Sequence, residues 1–170
     1  MFSDLTILIA EDDRPARECV ERCAHALSFK THAVSAVREG LDELPNADIF
    51  IMDLKLVNGD ATMLLERWVR DNGGPCCVIS GYITDDVEAD LIVTGAWNIL
   101  RKPYRLEALQ TTLYRYGVIV KRDKEYTEMK DRLRILARRQ VFMTALAIAS
   151  LFIALGKAAW PVISQLLGLI

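Results

Sequence analysis

The chain has 170 residues, with 23 acidic and 21 basic side chains, four cysteines and a hydrophobic fraction of 52%. That length holds one domain of ordinary size with an appendage rather than two full domains, and a net charge of −2 argues against a nucleic-acid partner, which requires a concentrated positive face. The averages conceal a division, because Val141 to Ile170 carry a single charge, Lys157, whereas the first 140 residues hold 20 basic and 23 acidic side chains.

Met1-Phe2-Ser3-Asp4 lacks a basic n-region, and the apolar run behind it is too short for a signal peptide, so the body is expected in the cytoplasm. Leu5 to Ala10 is a continuous apolar run ended by acids, as in a buried parallel strand. Pro15 lies near the start of a helix with Ala16, Cys19, Val20, Cys23 and Leu27 on one face. Thr31 to Val34 predicts a weak strand, and Ala36 to Leu44 a short helix stopped by Pro45. Asp48 to Asp53 is a second strong strand. Asp60 to Val69 predicts a helix closed by the Asn72-Gly73-Gly74-Pro75 breaker, followed by a central strand, Cys76 to Ser80. Asp85 to Val93 reads as a helix, Asn98 to Leu100 as a short strand, and a further helix starts near Leu106. Five strands alternating with helices predict an α/β fold, a doubly wound five-stranded parallel sheet with its site at the carboxyl ends of the strands.

The cysteines suit reduced, buried thiols. Cys19 and Cys23 are one turn apart, Cys76 and Cys77 are adjacent, and His25 and His32 are badly placed to complete a zinc site.

No break follows the last helix: Leu106 to Gly156 contains no proline, and Gly117 is its only interior glycine. One long helix is expected to leave the domain. Between Lys121 and Arg139 it carries eight basic and four acidic residues. Met129, Leu133, Leu136, Gln140 and Met143 follow spacings of four and three, which fits either a short coiled-coil seam or a solvated helix whose apolar residues cover the body. Val141 to Gly156 are sixteen uncharged residues, about 24 Å of helix against a bilayer core of about 30 Å. Continuing through Lys157 to Trp160 makes up the difference, with Arg132, Arg134, Arg138 and Arg139 as a cytoplasmic flank. A membrane anchor is the favoured reading; a hydrophobic helix buried in a dimer is the soluble alternative. Ala147, Ser150, Ala154, Lys157 and Ser164 continue the seam with small and polar residues, the kind membrane helices use to pack together.

Glu11 and Asp12 follow the first strand, Asp53 and Ser80 end two others, and Lys102-Pro103 follow the last. Together they set three carboxylates, a hydroxyl and an ammonium around one crevice. A hard divalent cation such as Mg²⁺ would relieve the repulsion, and a carboxylate beside it can attack a phosphoryl group.

Ile7-Leu-Ile-Ala-Glu11-Asp12-Asp13, Ile51-Met-Asp53-Leu-Lys55-Leu, Val78-Ile-Ser80-Gly81 and Leu100-Arg-Lys102-Pro103 resemble the ordered motifs of a response-regulator receiver domain over residues 4 to 115. The resemblance implies that Asp53 is the phospho-acceptor, that Asp12 ligates Mg²⁺ directly and Glu11 through water, and that Lys55 lends its backbone carbonyl. Ser80 resembles the hydroxyl residue that moves toward the acyl phosphate, and Lys102 the salt-bridging lysine; Asp13 is expected to cap the first helix. The chain departs from the pattern at Ile99, where an aromatic switch residue is usual, at Val57, where proline is frequent, and at Ala61, where glycine is common. Tyr82 and Tyr104 are candidates to replace the missing aromatic or are ordinary surface tyrosines.

The expected organisation is a receiver at 1–115, a charged helical linker at 116–140 and a hydrophobic tail at 141–170. The expected function is a response regulator tethered to the cytoplasmic membrane. It takes phosphate from a histidine kinase or phosphotransfer protein and passes the signal to a homo-oligomeric bundle of residues 116–170, with at most self-dephosphorylation as catalysis and no nucleic-acid partner. The alternatives are a constitutive, channel-like membrane oligomer with the receiver as scaffold, and a soluble receiver dimerised by its tail.

Overall fold

The computed structural model describes residues 1–56, 59–71 and 73–166; Val57, Asn72 of the breaker and the last four residues of the tail lie outside them. The chain runs β1 (Thr6–Ala10), α1 (Arg14–Ala26), β2 (Lys30–Val34), α2 (Val37–Glu43), a 3-10 turn (Leu44–Asn46), β3 (Ile49–Met52), β4 (Lys55–Leu56), β5 (Gly59–Asp60), α3 (Thr62–Asp71), β6 (Cys76–Ser80), α4 (Asp85–Thr94), β7 (Asn98–Arg101) and α5 (Leu106–Leu166). Five strands form one sheet in the order β2-β1-β3-β6-β7, and all neighbours are parallel. The chain reverses its direction of winding at β1, so helices cover both faces, as the alternation of apolar runs and amphipathic stretches predicts.

Side-chain alternation along the central strands builds two cores. Ile7, Ile9, Ile49, Ile51, Cys77 and Ile79 meet Val20, Cys23 and Ala24 of α1 and Leu109, Leu113, Tyr116 and Val120 of α5. Leu8, Ala10, Phe50, Met52, Cys76 and Val78 meet Leu64, Leu65 and Trp68 of α3 and Leu91 of α4. The adjacent cysteines thus serve opposite faces, and all four are free thiols.

The caps explain where helices begin. Asp13 accepts a hydrogen bond from Ala16 N at 3.0 Å, with Pro15 in the first turn of α1. Asp60 accepts from Thr62 N at 2.9 Å, which starts α3 two residues later than hydropathy suggests. At the far end of α4, Gly95 takes φ 117° and lies where a Cβ would be 2.7 Å from Val69 Cγ2. Pro45 does not simply end α2 but occupies the first turn of the 3-10 turn after it. The two-residue ladder between β4 and β5 has no counterpart in the periodicity.

The chain divides into two compact units, Met1–Lys124 and Glu125–Ile170. In the first, α5 is bound by its apolar face and by Lys124 Nζ, 2.8 Å from Asp48 Oδ1. The second consists of the remainder of α5, where every described side chain from Glu125 to Ile163 is exposed. The helix passes through Pro161, which forfeits one backbone bond without ending it. By length and hydropathy, 2.0 on average over eighteen residues, α5 is a candidate membrane span.

Candidate functional site

A parallel sheet places the carboxyl ends of its strands along one edge, and four of the expected residues gather there. Glu11 directly follows β1, Asp53 follows β3, Ser80 ends β6 and Lys102 follows β7. Backbone bonds extend the ladder into these positions: Glu11 N donates to Val34 O at 3.1 Å, Asp53 N to Ala10 O at 2.8 Å and Lys102 N to Ser80 O at 2.9 Å. The side chains therefore project from the rigid end of the sheet rather than from free loops.

Lys102 Nζ lies 2.6 Å from Glu11 Oε2 and 2.7 Å from Asp53 Oδ2, bridging two carboxylates that are 3% and 8% exposed. The other oxygens take weaker backbone donors: Asp53 Oδ1 accepts from Lys55 N at 3.2 Å, and Glu11 Oε1 from Asp13 N at 3.3 Å. Arg17 Nη1 donates to Glu11 O at 2.9 Å, fixing the turn that presents Glu11. Burial raises the Glu11 pKa above its ordinary value, and the Lys102 ammonium only partly opposes this. For Lys102, burial favours the neutral form, but its bonds to Asp53 and Glu11 outweigh that and hold the amine protonated above its ordinary pKa.

Ser80 is fully buried, its hydroxyl 3.5 Å from Tyr82 N. Asp12, by contrast, is exposed beside the pair, and among the described residues no three acidic, histidine or cysteine side chains converge as a metal cluster. The donors nevertheless suit a hard divalent cation. The side-chain donors are carboxylate oxygens, those of Glu11 and Asp53 buried, and a single ammonium faces the two buried carboxylates. Glu11, Asp12, Asp53 and the Lys55 carbonyl are the groups that could hold it.

The sequence did not suggest that Lys55 and Tyr82 meet. Lys55 Nζ sits 3.2 Å from the centroid of the exposed Tyr82 ring, joining the short strand β4 to the segment after β6. The two residues lie far apart in the chain, on a two-residue strand and a turn without periodicity, so composition alone could not pair them. Tyr104 is half-buried, its phenol pushed up to about 12 by burial. Ile99, at the departure from the aromatic pattern, is partly buried against the α3–α4 core.

A family model described as the response regulator receiver domain matches residues 7–114. Among solved structures, a signal receiver domain from Vibrio parahaemolyticus superposes with a TM-score of 0.66 at 19% identity, covering 72% of this chain and 96% of that one. A CheY-like response regulator receiver domain protein from Methanospirillum hungatei JF-1 gives 0.64 at 20% identity, covering 70% and 98%. The signal receiver domain of an HD domain-containing protein from Pseudomonas fluorescens Pf-5 gives 0.64 at 18%, covering 71% and 92%. These likenesses concern the fold. No curated protein matches the chain.

Proposed function

The chain belongs to the response-regulator receiver family, and on that footing we propose that it is a phosphorylation switch held at the cytoplasmic membrane by the apolar end of α5. Asp53 is the acceptor. The observation that carries this reading is the Lys102 bridge between Asp53 and Glu11. It sets an ammonium 2.7 Å from a buried carboxylate oxygen at the carboxyl end of the sheet, beside the oxygens on which charge builds during phosphoryl transfer.

The phosphoryl group comes from a phosphohistidine on a histidine kinase or phosphotransfer protein. An Asp53 oxygen forms the new P–O bond as the P–N bond breaks, and the departing imidazole nitrogen takes a proton from water. Lys102 holds the Asp53 and Glu11 charges together before transfer and stays paired with Glu11 after it. Ser80 supplies the hydroxyl for the attached phosphoryl group. Glu11, Asp12, Asp53 and the Lys55 carbonyl would hold Mg²⁺, which neutralises charge on the transferring oxygens. Hydrolysis of the aspartyl phosphate is the only catalysis this site needs.

Support for the membrane half lies in the sixteen uncharged residues Val141 to Gly156, none of them buried within the chain. The seam of Met129, Leu133, Leu136, Gln140 and Met143 continues into Ala147, Ser150 and Ala154, which supports a parallel homo-oligomer as the receiver of the signal. The aliphatic Ile99 favours a second reading, a constitutive oligomer using the receiver body as scaffold, because no aromatic rotates there to report on Ser80.

One assay separates them. Full-length protein is incubated with a small-molecule phosphodonor and Mg²⁺ and the acid-stable mass shift is measured. The switch reading expects one phosphoryl adduct on the wild type and none on Asp53→Asn. An unlabelled wild type, or an equally labelled Asp53→Asn, overturns it.

A further inference from the structure

Five cations, Lys130, Arg132, Arg134, Arg138 and Arg139, fall within ten consecutive residues of α5, with Asp131 the single acid among them. All are exposed, and the one ion pair they make among the described residues is a loose contact of 3.6 Å between Arg134 and Asp131. At about 100° per residue, Lys130, Arg134 and Arg138 share one side of the helix and Arg132 and Arg139 the other. The result is a collar around the helix rather than a stripe along it. It ends at Arg139, one residue before Gln140 and the uncharged run that begins at Val141.

Charge elsewhere makes the collar distinctive. Residues 1–124 hold 20 acidic and 15 basic side chains, whereas residues 125–170 hold three acidic and six basic. An anionic surface would therefore repel the body and attract only this segment. Four of the five cations are arginines, whose planar guanidinium suits phosphate oxygens. A ring also fits a leaflet, which surrounds a helix; an acidic protein would meet one face.

We propose that this collar binds the phosphate-bearing headgroups of anionic phospholipids in the leaflet where Val141 to Gly156 enters. The inference rests on the membrane reading and adds a lipid partner to it. Basic side chains clustered beside a span draw anionic headgroups within about a Debye length, and the arginines at 138 and 139 lie at the boundary itself.

The test reconstitutes the full chain in vesicles of phosphatidylcholine with 20% phosphatidylglycerol (a composition chosen for the assay) and measures, by electron spin resonance, the association of spin-labelled forms of each lipid. The expected result is a preference for phosphatidylglycerol of about fivefold, the size one well-placed basic residue gives near a membrane. It should fall to near equality when all five cations are replaced by Gln, exposed positions where the change leaves the fold intact. Equal association of the two lipids with the wild type overturns the proposal, as does a preference that survives the five substitutions. Displacement of phosphatidylglycerol by inorganic phosphate, but not by chloride at equal ionic strength, would make the ligand free phosphate and overturn it as well. Failure of the wild type to enter vesicles at all would instead strike the membrane reading beneath it.

Discussion

The helix α5 lives in two environments with the same periodicity. Leu109, Leu113, Tyr116 and Val120 recur at spacings of four and three and vanish into the body's core, Leu109 and Leu113 at 0% exposure. Met129, Leu133, Leu136 and Met143 recur at the same spacings yet are 55–59% exposed. In the body, no buried side-chain nitrogen or oxygen among the described residues lacks a partner. From Glu125 to Ile163 every described side chain is exposed. A 3.6-residue period thus says that a face requires cover and leaves open what supplies it. For the first stretch the sheet supplies it; for the second, the proposed function assigns the cover to lipid and to further copies of the chain.

The largest effect should come from ending the chain after Gln140. If body and tail are energetically separate, the shortened protein should move from the membrane pellet wholly to the soluble fraction, and the melting temperature of the body should shift by no more than about 2 °C, because every described side chain from Val141 to Ile163 is exposed. A shortened chain that stays with membranes, or a full chain that is soluble, breaks the comparison and returns the tail to a dimer core. Two glycines sharpen it next. A Cβ at Gly117 would come within 2.7 Å of Phe29 Cζ and 2.8 Å of Phe2 Cζ, rings that stack with centroids 4.7 Å apart. Gly117→Val should therefore cost the body about 1–3 kcal/mol by overpacking, read as a lower urea midpoint. At Gly156 nothing lies within 4 Å of a Cβ, so Gly156→Val should leave that midpoint where it was. Equal responses at both positions would mean the two units share one cooperative core.

The same contrast explains what could be read from the chain in advance. Strands such as Ile49–Met52 and Cys76–Ser80 were legible because burial on both faces demands uninterrupted apolar runs, and a parallel sheet then fixes which ends meet. That logic brought Glu11, Asp53, Ser80 and Lys102 to one edge without any tertiary information. It could not say that Asp12 would face outward while Glu11 lay buried, since both simply follow β1. The start of α3 at Thr62 depends on the Asp60 side chain, and the contact of Lys55 with Tyr82 depends on the two-residue strand β4 and the turn after β6; neither leaves a periodic trace. The body's reach to Lys124 was hidden for another reason. Tyr116 and Val120 look like the residues after them, and only the finite width of the sheet ends their burial.

The smallest effect, and the most specific to the body, concerns alkaline pH. Tyr104 is half-buried with its phenol pushed up to about 12, chiefly because burial disfavours the phenolate. In the unfolded chain the same group ionises near 10. Between those values the unfolded state loses the proton while the native state retains it, so the unfolded form gains relative stability and folding weakens as pH rises through the window. Below pH 10 both states hold the proton and Tyr104 contributes no slope. Tyr104→Phe should therefore behave as wild type near neutrality and lose less stability between pH 10 and 12. The difference should be on the order of 1 kcal/mol, discounted because the ring is partly solvated. Chemical denaturation at three pH values measures it, and the shortened chain ending at Gln140 should show the same curve as the full chain. A steeper alkaline loss in Tyr104→Phe would mean that a neighbouring cation stabilises the phenolate in the native state more than burial disfavours it. A slope that depends on the tail would mean that α5 transmits stability across Glu125, which the exposure of every described side chain from Glu125 to Ile163 argues against.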